Sequence, residues 1–212
     1  IFQNLIIFST PFDTESLIFL EKLDCPAYKI SSMDIVNFPL IEEVSKTGKP
    51  MILSTGMSEI SDINQAMNVI RSQGNENFAL LHCVSSYPCS PSNANLPMIQ
   101  KIKNTFETIT GYSDHTTGID ISLSAVALGA KIIEKHFTND KYKKGADHSI
   151  SAEQEDLRII SEYSKKFKLR LGNGKIEPST KEKVMRNFFR KSFYYNVDLK
   201  KNAEIKKNNI VA

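Results

Sequence analysis

Four kinds of absence narrow this chain before any motif is read. No apolar run approaches the ~20 residues that cross a bilayer, so a membrane-spanning segment is not expected. The start also lacks a basic stretch followed by a small-residue cleavage pattern, and the expected location is the cytoplasm. The three cysteines, Cys25, Cys83 and Cys89, are odd in number and show neither C-x-x-C nor zinc-finger spacing, which argues against a disulfide framework. Charge of one sign is also scarce. The net charge is +3, and much of the basic excess lies in K-K-F-K and K-K-N-A-E-I-K-K after Lys165. Without interleaved aromatics or a reader motif these lysines read as solvated, and no nucleic-acid partner is expected.

What is present is a soluble globular composition, 41% hydrophobic and 24% charged over 212 residues, and one recurring pattern. A short apolar run ends in hydroxyl or charged residues and is followed by an amphipathic stretch. The expected strands are Leu5 to Ser9, Ala27 to Ser31, Met51 to Ser54, Phe78 to Cys83, Thr108 to Tyr112 and Lys131 to Glu134. Ile60, Ile63, Met67 and Ile70 mark one helix, with Ser58 as its expected N-cap. Leu17, Leu20 and Leu23 mark another, capped by Asp13. A further helix is expected from Glu153 to Leu171.

The equivalent strand ends, Thr10, Ser32, Ser54, Cys83, Ser113 and His136, recur every 22 to 30 residues. Six βα units at this period fit a parallel sheet with right-handed crossovers, either doubly wound or a (β/α)8 barrel. No G-x-G-x-x-G or G-K-[ST] loop follows a strand, which removes the usual nucleotide-binding reason for an open sheet. Polar endings on every strand favour a barrel, whose site gathers at the carboxyl-end loops. Six units are two short of eight, so a barrel lacking its first two units, either a fragment or a chain that has lost them, is expected.

Two strand-end histidines carry the sharpest chemical reading. His115 closes T-I-T-G-Y-S-D-H and His136 closes A-K-I-I-E-K-H. At the carboxyl ends of consecutive parallel strands, two imidazoles can share a divalent metal. A single such histidine is more often a hydrogen-bonded structural residue. Recurrence at equivalent positions, each near an acid (Asp114, Glu134), lifts the metal reading to a level with the structural one.

The series S-T-P-F-D, Y-K-I-S-S-M-D, P-M-I-L-S-T-G-M, L-L-H-C-V-S-S-Y-P, G-Y-S-D-H-T-T-G, A-L-G-A-K-I-I-E-K-H-F-T and G-A-D-H-S-I-S resembles the N-acetylneuraminate (sialic acid) synthase family in order and spacing. That family includes legionaminate and pseudaminate synthases. The resemblance implies a TIM-barrel synthase domain over 1–172 (strands 3 to 8), a linker over 173–190, and the start of a C-terminal antifreeze-like (SAF) domain over 191–212. It implies condensation of phosphoenolpyruvate with an N-acetylhexosamine, N-acetylmannosamine or a 2,4-diacetamido analogue, giving a nonulosonate and phosphate. It also implies a domain-swapped homodimer at full length, with the lone fragment inactive.

On the same resemblance His115 and His136 are the metal ligands, for Mn²⁺ or alternatively Mg²⁺ or Co²⁺, and a metal there would polarise the sugar aldehyde. Thr10, Lys29, Ser32, Ser54, Ser85, Tyr87, Ser113 and Glu134 match substrate-binding positions. Asp34 matches a catalytic acidic position, and Asp147 a residue for the sugar hydroxyls. Individually each serine is also a turn residue and each aspartate a cap or loop acid. His82 and His148 read as structural. Two rival readings stand beside this one. One is another phosphoenolpyruvate-using barrel synthase, with Cys83 in its metal shell; the other is a non-catalytic remnant of the family.

Overall fold

The computed structural model describes residues 5–212; the first four residues of the expected barrel segment lie outside it. By contact the chain divides into two units, the first ending at Arg170 and the second running Leu171–Ala212.

The first unit alternates helix and strand. In order it holds α1 (Thr14–Lys22), β1 (Tyr28–Ile30), α2 (Phe38–Lys46), β2 (Met51–Ser54), α3 (Ile60–Ser72), β3 (Phe78–Cys83), α4 (Pro97–Phe106), β4 (Ile109–Asp114), α5 (Asp120–Ala127), β5 (Ile133–Lys135) and α6 (Gln154–Arg170). All strand pairs are parallel. The sheet runs β1-β2-β3-β4-β5, in the order of the chain. A doubly wound sheet reverses strand order at a switch point. Here each new strand is added on the same side, as in a barrel wall, and the sheet is a curled half-barrel.

Alternation along the strands sorts the side chains. Tyr28, Ile30, Met51, Leu53, Phe78 and Leu80 face the helices and join Leu17, Ile41, Val44, Ile63, Met67, Ile70 and Ile102 in one buried cluster. A second cluster centres on Tyr112, Ile99 and Ala125. Gly111 lies where strands and side chains crowd: a Cβ there would sit 2.5 Å from the Ile132 carbonyl oxygen and 2.5 Å from Leu81 Cδ2.

Several expectations shift. Leu5 to Ser9 is reduced to one parallel bridge, Ser9 to Tyr28. Leu5, Ile6 and Ile7 are exposed, and among the described residues of this run Ser9 is where the pairing with β1 is made. Asp13 caps α1, accepting from the Ser16 N–H at 2.6 Å. At α3 the cap is Glu59 rather than Ser58. The Glu59 N–H donates to the Asp62 carboxylate at 2.8 Å, while the Ser58 hydroxyl turns to the Gly56 carbonyl. No helix among the described residues is long and apolar enough to cross a membrane.

The second unit contains α7 (Thr180–Phe189) and an antiparallel pair, β6 (Tyr194–Tyr195) with β7 (Ile210–Val211). Much of the expected linker is therefore helical. Ser179 caps α7 by accepting from the Glu182 N–H, and the Glu182 carboxylate accepts from the Ser179 N–H at 2.7 Å.

Candidate active site

Residues two apart on neighbouring strands build one cleft. Lys29 and Ser31, Cys83 and Ser85, Ser113 and His115, Glu134 and His136 all point to the same side, joined by Ser54, Ser32, Thr10, Tyr87, Met33 and Met57 around about 560 Å³. The intervening residues face the helices, as the period of two requires. The cleft opens at the carboxyl ends of the strands, where parallel α/β proteins place their ligands.

Its floor is lined with hydroxyls. The Ser54 and Ser85 Oγ atoms are buried and have no hydrogen-bond partner among the described residues. Ser32 Oγ accepts from the Gly56 N–H at 3.1 Å. A Cβ on Gly56 would stand 2.3 Å from Ser85 Oγ and 2.8 Å from Ser32 Oγ, so glycine is what leaves these hydroxyls room. Buried polar atoms are nearly always partnered; two orphans on one floor form a cradle suited to an oxygen-rich ligand.

Charge enters through Lys29 and Glu134. Ser113 donates to Glu134 at 2.6 Å, and the Glu134 carboxylate faces Lys29 Nζ at 3.6 Å. Lys29 also donates to its neighbour's carbonyl, Ile30, at 3.0 Å. Burial pulls the Lys29 ammonium below the ordinary lysine range, and Glu134 acts against that pull.

The two histidines meet at the rim. Their ring centroids lie 5.3 Å apart, and Tyr87 covers His115 at 4.2 Å and His136 at 5.8 Å. His115 Nδ1 is 3.0 Å from the Val84 carbonyl. A carbonyl can only accept, so Nδ1 carries a proton, and in the neutral ring the lone pair is left on Nε2. Burial and the neighbouring His115 lower the His136 pKa, although Asp147 and Glu134 pull the other way. That direction favours the neutral His136 ring, the form that binds a metal. Two nitrogens about 2.1 Å from a shared ion would put their ring centroids about 5 Å apart, and the observed spacing fits.

Cys83 Sγ lies 3.7 Å from His115 Nδ1, the nitrogen whose proton is already engaged. Among the described residues no group of three or more His, Cys, Asp or Glu side chains forms a metal cage. The fit therefore rests on the two imidazoles with coordination positions left open.

Two expected residues sit beside the cleft rather than in its wall. Asp34, on a 3₁₀ turn over Ser32–Asp34, accepts from the Ser31 hydroxyl. Asp147 faces His136 Nδ1 at 3.7 Å and lines an adjoining hollow with His136, Gly145 and His148. His148 contacts Thr138 Oγ1 at 2.7 Å, and His82 contacts the Ala94 carbonyl at 2.9 Å. Sequence reasoning does not pick out Ser31, Met33, Met57 or Gly56. The step of two from Lys29 and from Ser54 was the available signal for Ser31 and Gly56; the two methionines lie beyond the strand ends, where no period applies.

A singly wound parallel sheet with its polar cleft at the strand carboxyl ends defines a protein of the (β/α)-barrel class. The chain belongs to the NeuB family, whose sequence model matches residues 2–176. It is 40% identical over 209 residues to N,N'-diacetyllegionaminic acid synthase of Campylobacter jejuni, covering 98% of this chain and 63% of the relative. It is 38% identical over 211 residues to pseudaminic acid synthase of Helicobacter pylori, covering 99% of this chain and 62% of the relative. The chain thus spans about three fifths of these relatives' length. Among solved structures, an N-acetylneuraminic acid synthetase from Leptospira borgpetersenii in complex with citrate superposes with a TM-score of 0.81. That match has 41% identity and covers 89% of this chain and 67% of the other.

Proposed function

We propose that this chain provides the catalytic cleft of a sialic-acid-type synthase, which joins phosphoenolpyruvate to an N-acetylhexosamine and releases phosphate. One juxtaposition carries the reading: Lys29 and a floor of serine hydroxyls unpartnered among the described residues lie within the same cleft as a pair of imidazoles. The named activities of the relatives support it.

The parts divide the work. Phosphoenolpyruvate has a carboxylate and a phosphate that alone carries about −1.5 to −2 charge at neutral pH. Lys29 meets part of that charge, and Ser54 and Ser85 donate to its oxygens. Glu134, once Lys29 turns to the substrate, remains held by Ser113. His115 and His136 would hold a divalent cation, Mn²⁺ by preference and Mg²⁺ or Co²⁺ as alternatives. A cation bound there supplies Lewis acidity to the sugar aldehyde. Asp147 lies next to His136, beside the space for the sugar hydroxyls, and Asp34 can take or give a proton at the cleft edge.

Lys29 is the only lysine or arginine lining the cleft among the described residues. One buried cation undercompensates the substrate, which favours both a bound divalent ion and further basic groups from the rest of a full-length, domain-swapped homodimer. In this reading the second unit begins an antifreeze-like domain, and the reaction is cytoplasmic. The alternative synthase with a cysteine ligand is less well supported, because the Cys83 thiol meets the protonated edge of His115.

The test is phosphate release by the full-length gene product with phosphoenolpyruvate and Mn²⁺, offering N-acetylmannosamine and 2,4-diacetamido hexoses in turn. Release with one sugar, abolished in His115→Ala and His136→Ala, is the expected result. A folded, metal-binding protein that releases no phosphate with any of them would overturn the reading.

A further inference from the structure

One residue before each cleft histidine stands a buried ion. Asp114 and Lys135 are register partners on β4 and β5, and their charges meet at 3.0 Å with side chains 0% and 1% exposed. Strand alternation turns them away from the cleft. Ser113 and Glu134 point in, Asp114 and Lys135 point out, and His115 and His136 point in again.

The pair is closed on every side. Asp114 accepts from the Thr116 N–H at 2.9 Å, from the Thr116 hydroxyl at 2.7 Å and from the Ser122 hydroxyl of α5. Lys135 also donates to the Thr116 carbonyl at 2.8 Å. His115 is thus bracketed by Asp114 and Thr116, both tied to Lys135, which directly precedes His136. A buried ion pair is weak support for stability, because desolvation offsets its attraction; its better-attested use is to fix one arrangement over others.

We infer that Asp114 and Lys135 are positioning residues that hold the His115 and His136 imidazoles at the separation a shared divalent cation requires. The inference rests on the metal reading of the cleft. Neither residue touches a ligand; both act through the backbone of the two histidine-bearing strand ends.

The experiment measures Mn²⁺ binding, by the electron paramagnetic resonance signal of the free ion, together with the imidazole ¹⁵N shifts of His115 in the metal-free protein. Lys135→Met alone leaves a buried carboxylate without its partner, which destabilises the fold, so the double variant D114N/K135M, which removes both charges, is the deciding protein. A folded double variant is expected to bind Mn²⁺ about 10–100-fold more weakly, the usual cost of losing an outer partner of metal ligands. Its His115 shifts are expected to leave the single Nδ1–H tautomer of the wild type. Lys135→Arg, which keeps the positive charge beside Asp114, is expected to leave both readouts close to wild type. Wild-type Mn²⁺ affinity and an unaltered tautomer in the folded double variant would overturn the positioning role. If the wild-type protein takes up no Mn²⁺, the metal reading itself fails, and with it the inference.

Discussion

Ser113 and Glu134 are register partners on β4 and β5, joined by a 2.6 Å hydrogen bond that aims the Glu134 carboxylate at Lys29. The only lysine lining the cleft among the described residues therefore meets a competing anion when no substrate is bound. Replacing Lys29 with Met is expected to weaken phosphoenolpyruvate binding about 10–100-fold, the effect of losing a charged hydrogen bond of about 1.5–3 kcal/mol. Glu134→Gln keeps the acceptor for Ser113 and removes the competing charge, so it is expected to tighten phosphoenolpyruvate binding. Titration calorimetry on both variants checks the opposed signs, and weaker binding in Glu134→Gln would show that the carboxylate does not compete.

The orphan hydroxyls make a second pair of opposed expectations. Ser54 Oγ and Ser85 Oγ have no partner to lose among the described residues, so Ser54→Ala and Ser85→Ala are expected to leave thermal stability unchanged or slightly raised. Each is expected to weaken phosphoenolpyruvate binding about 2–10-fold, one ordinary hydrogen bond. A clear loss of stability in either variant would mean that the hydroxyl serves the fold rather than a ligand.

Gly56 tests the shape of the floor. Its missing Cβ would fall 2.3 Å from Ser85 Oγ, so Gly56→Ala forces the loop to move and is expected to cost about 1–3 kcal/mol, the range for overpacking. Adding Ser85→Ala removes the nearest clashing atom and is expected to recover part of that loss. Urea unfolding of the single and double variants measures it, and strict additivity would indicate that the two positions do not meet.

Much of this was legible in the residues, for physical reasons that differ from place to place. β2 and β3 were read to their ends because a short apolar run stops abruptly at hydroxyl or thiol residues. His115 stands out because it closes a strand-like run as His136 does on the next one, whereas Lys29 is marked by its match to a position of the sialic acid synthase family. α7 is the element the expected linker over 173–190 misses: Ser179 and Glu182 spell a capping box, but Gly172, Gly174 and Pro178 just before it are chain-break signals that mask the helix start. Asp114 shows the deeper limit. Adjacency to His115 suggested a shared site, whereas the pleat sends neighbours to opposite faces, and only the pairing with Lys135 reveals which face is which.

His82 is expected to make the fold sensitive to acid. It lies on β3, buried on the helix side, with its ring nitrogen 2.9 Å from the Ala94 carbonyl, and burial lowers its pKa while contacts with the Ala94 and Asn95 backbone oppose that shift. In the unfolded chain a histidine takes up its proton near pH 6.5, whereas the folded protein resists until lower pH. The unfolded state therefore binds more protons in that interval. Stability is full above about pH 6.5 and declines as pH falls towards the folded value, by at most about 1.4 kcal/mol per pH unit for one group. In His82→Gln the side-chain amide can still donate to Ala94 but does not titrate, so the decline should be shallower. Urea unfolding at pH 7.5, 6.0 and 5.0 on both proteins measures the slopes, and parallel profiles would assign the acid sensitivity to other groups.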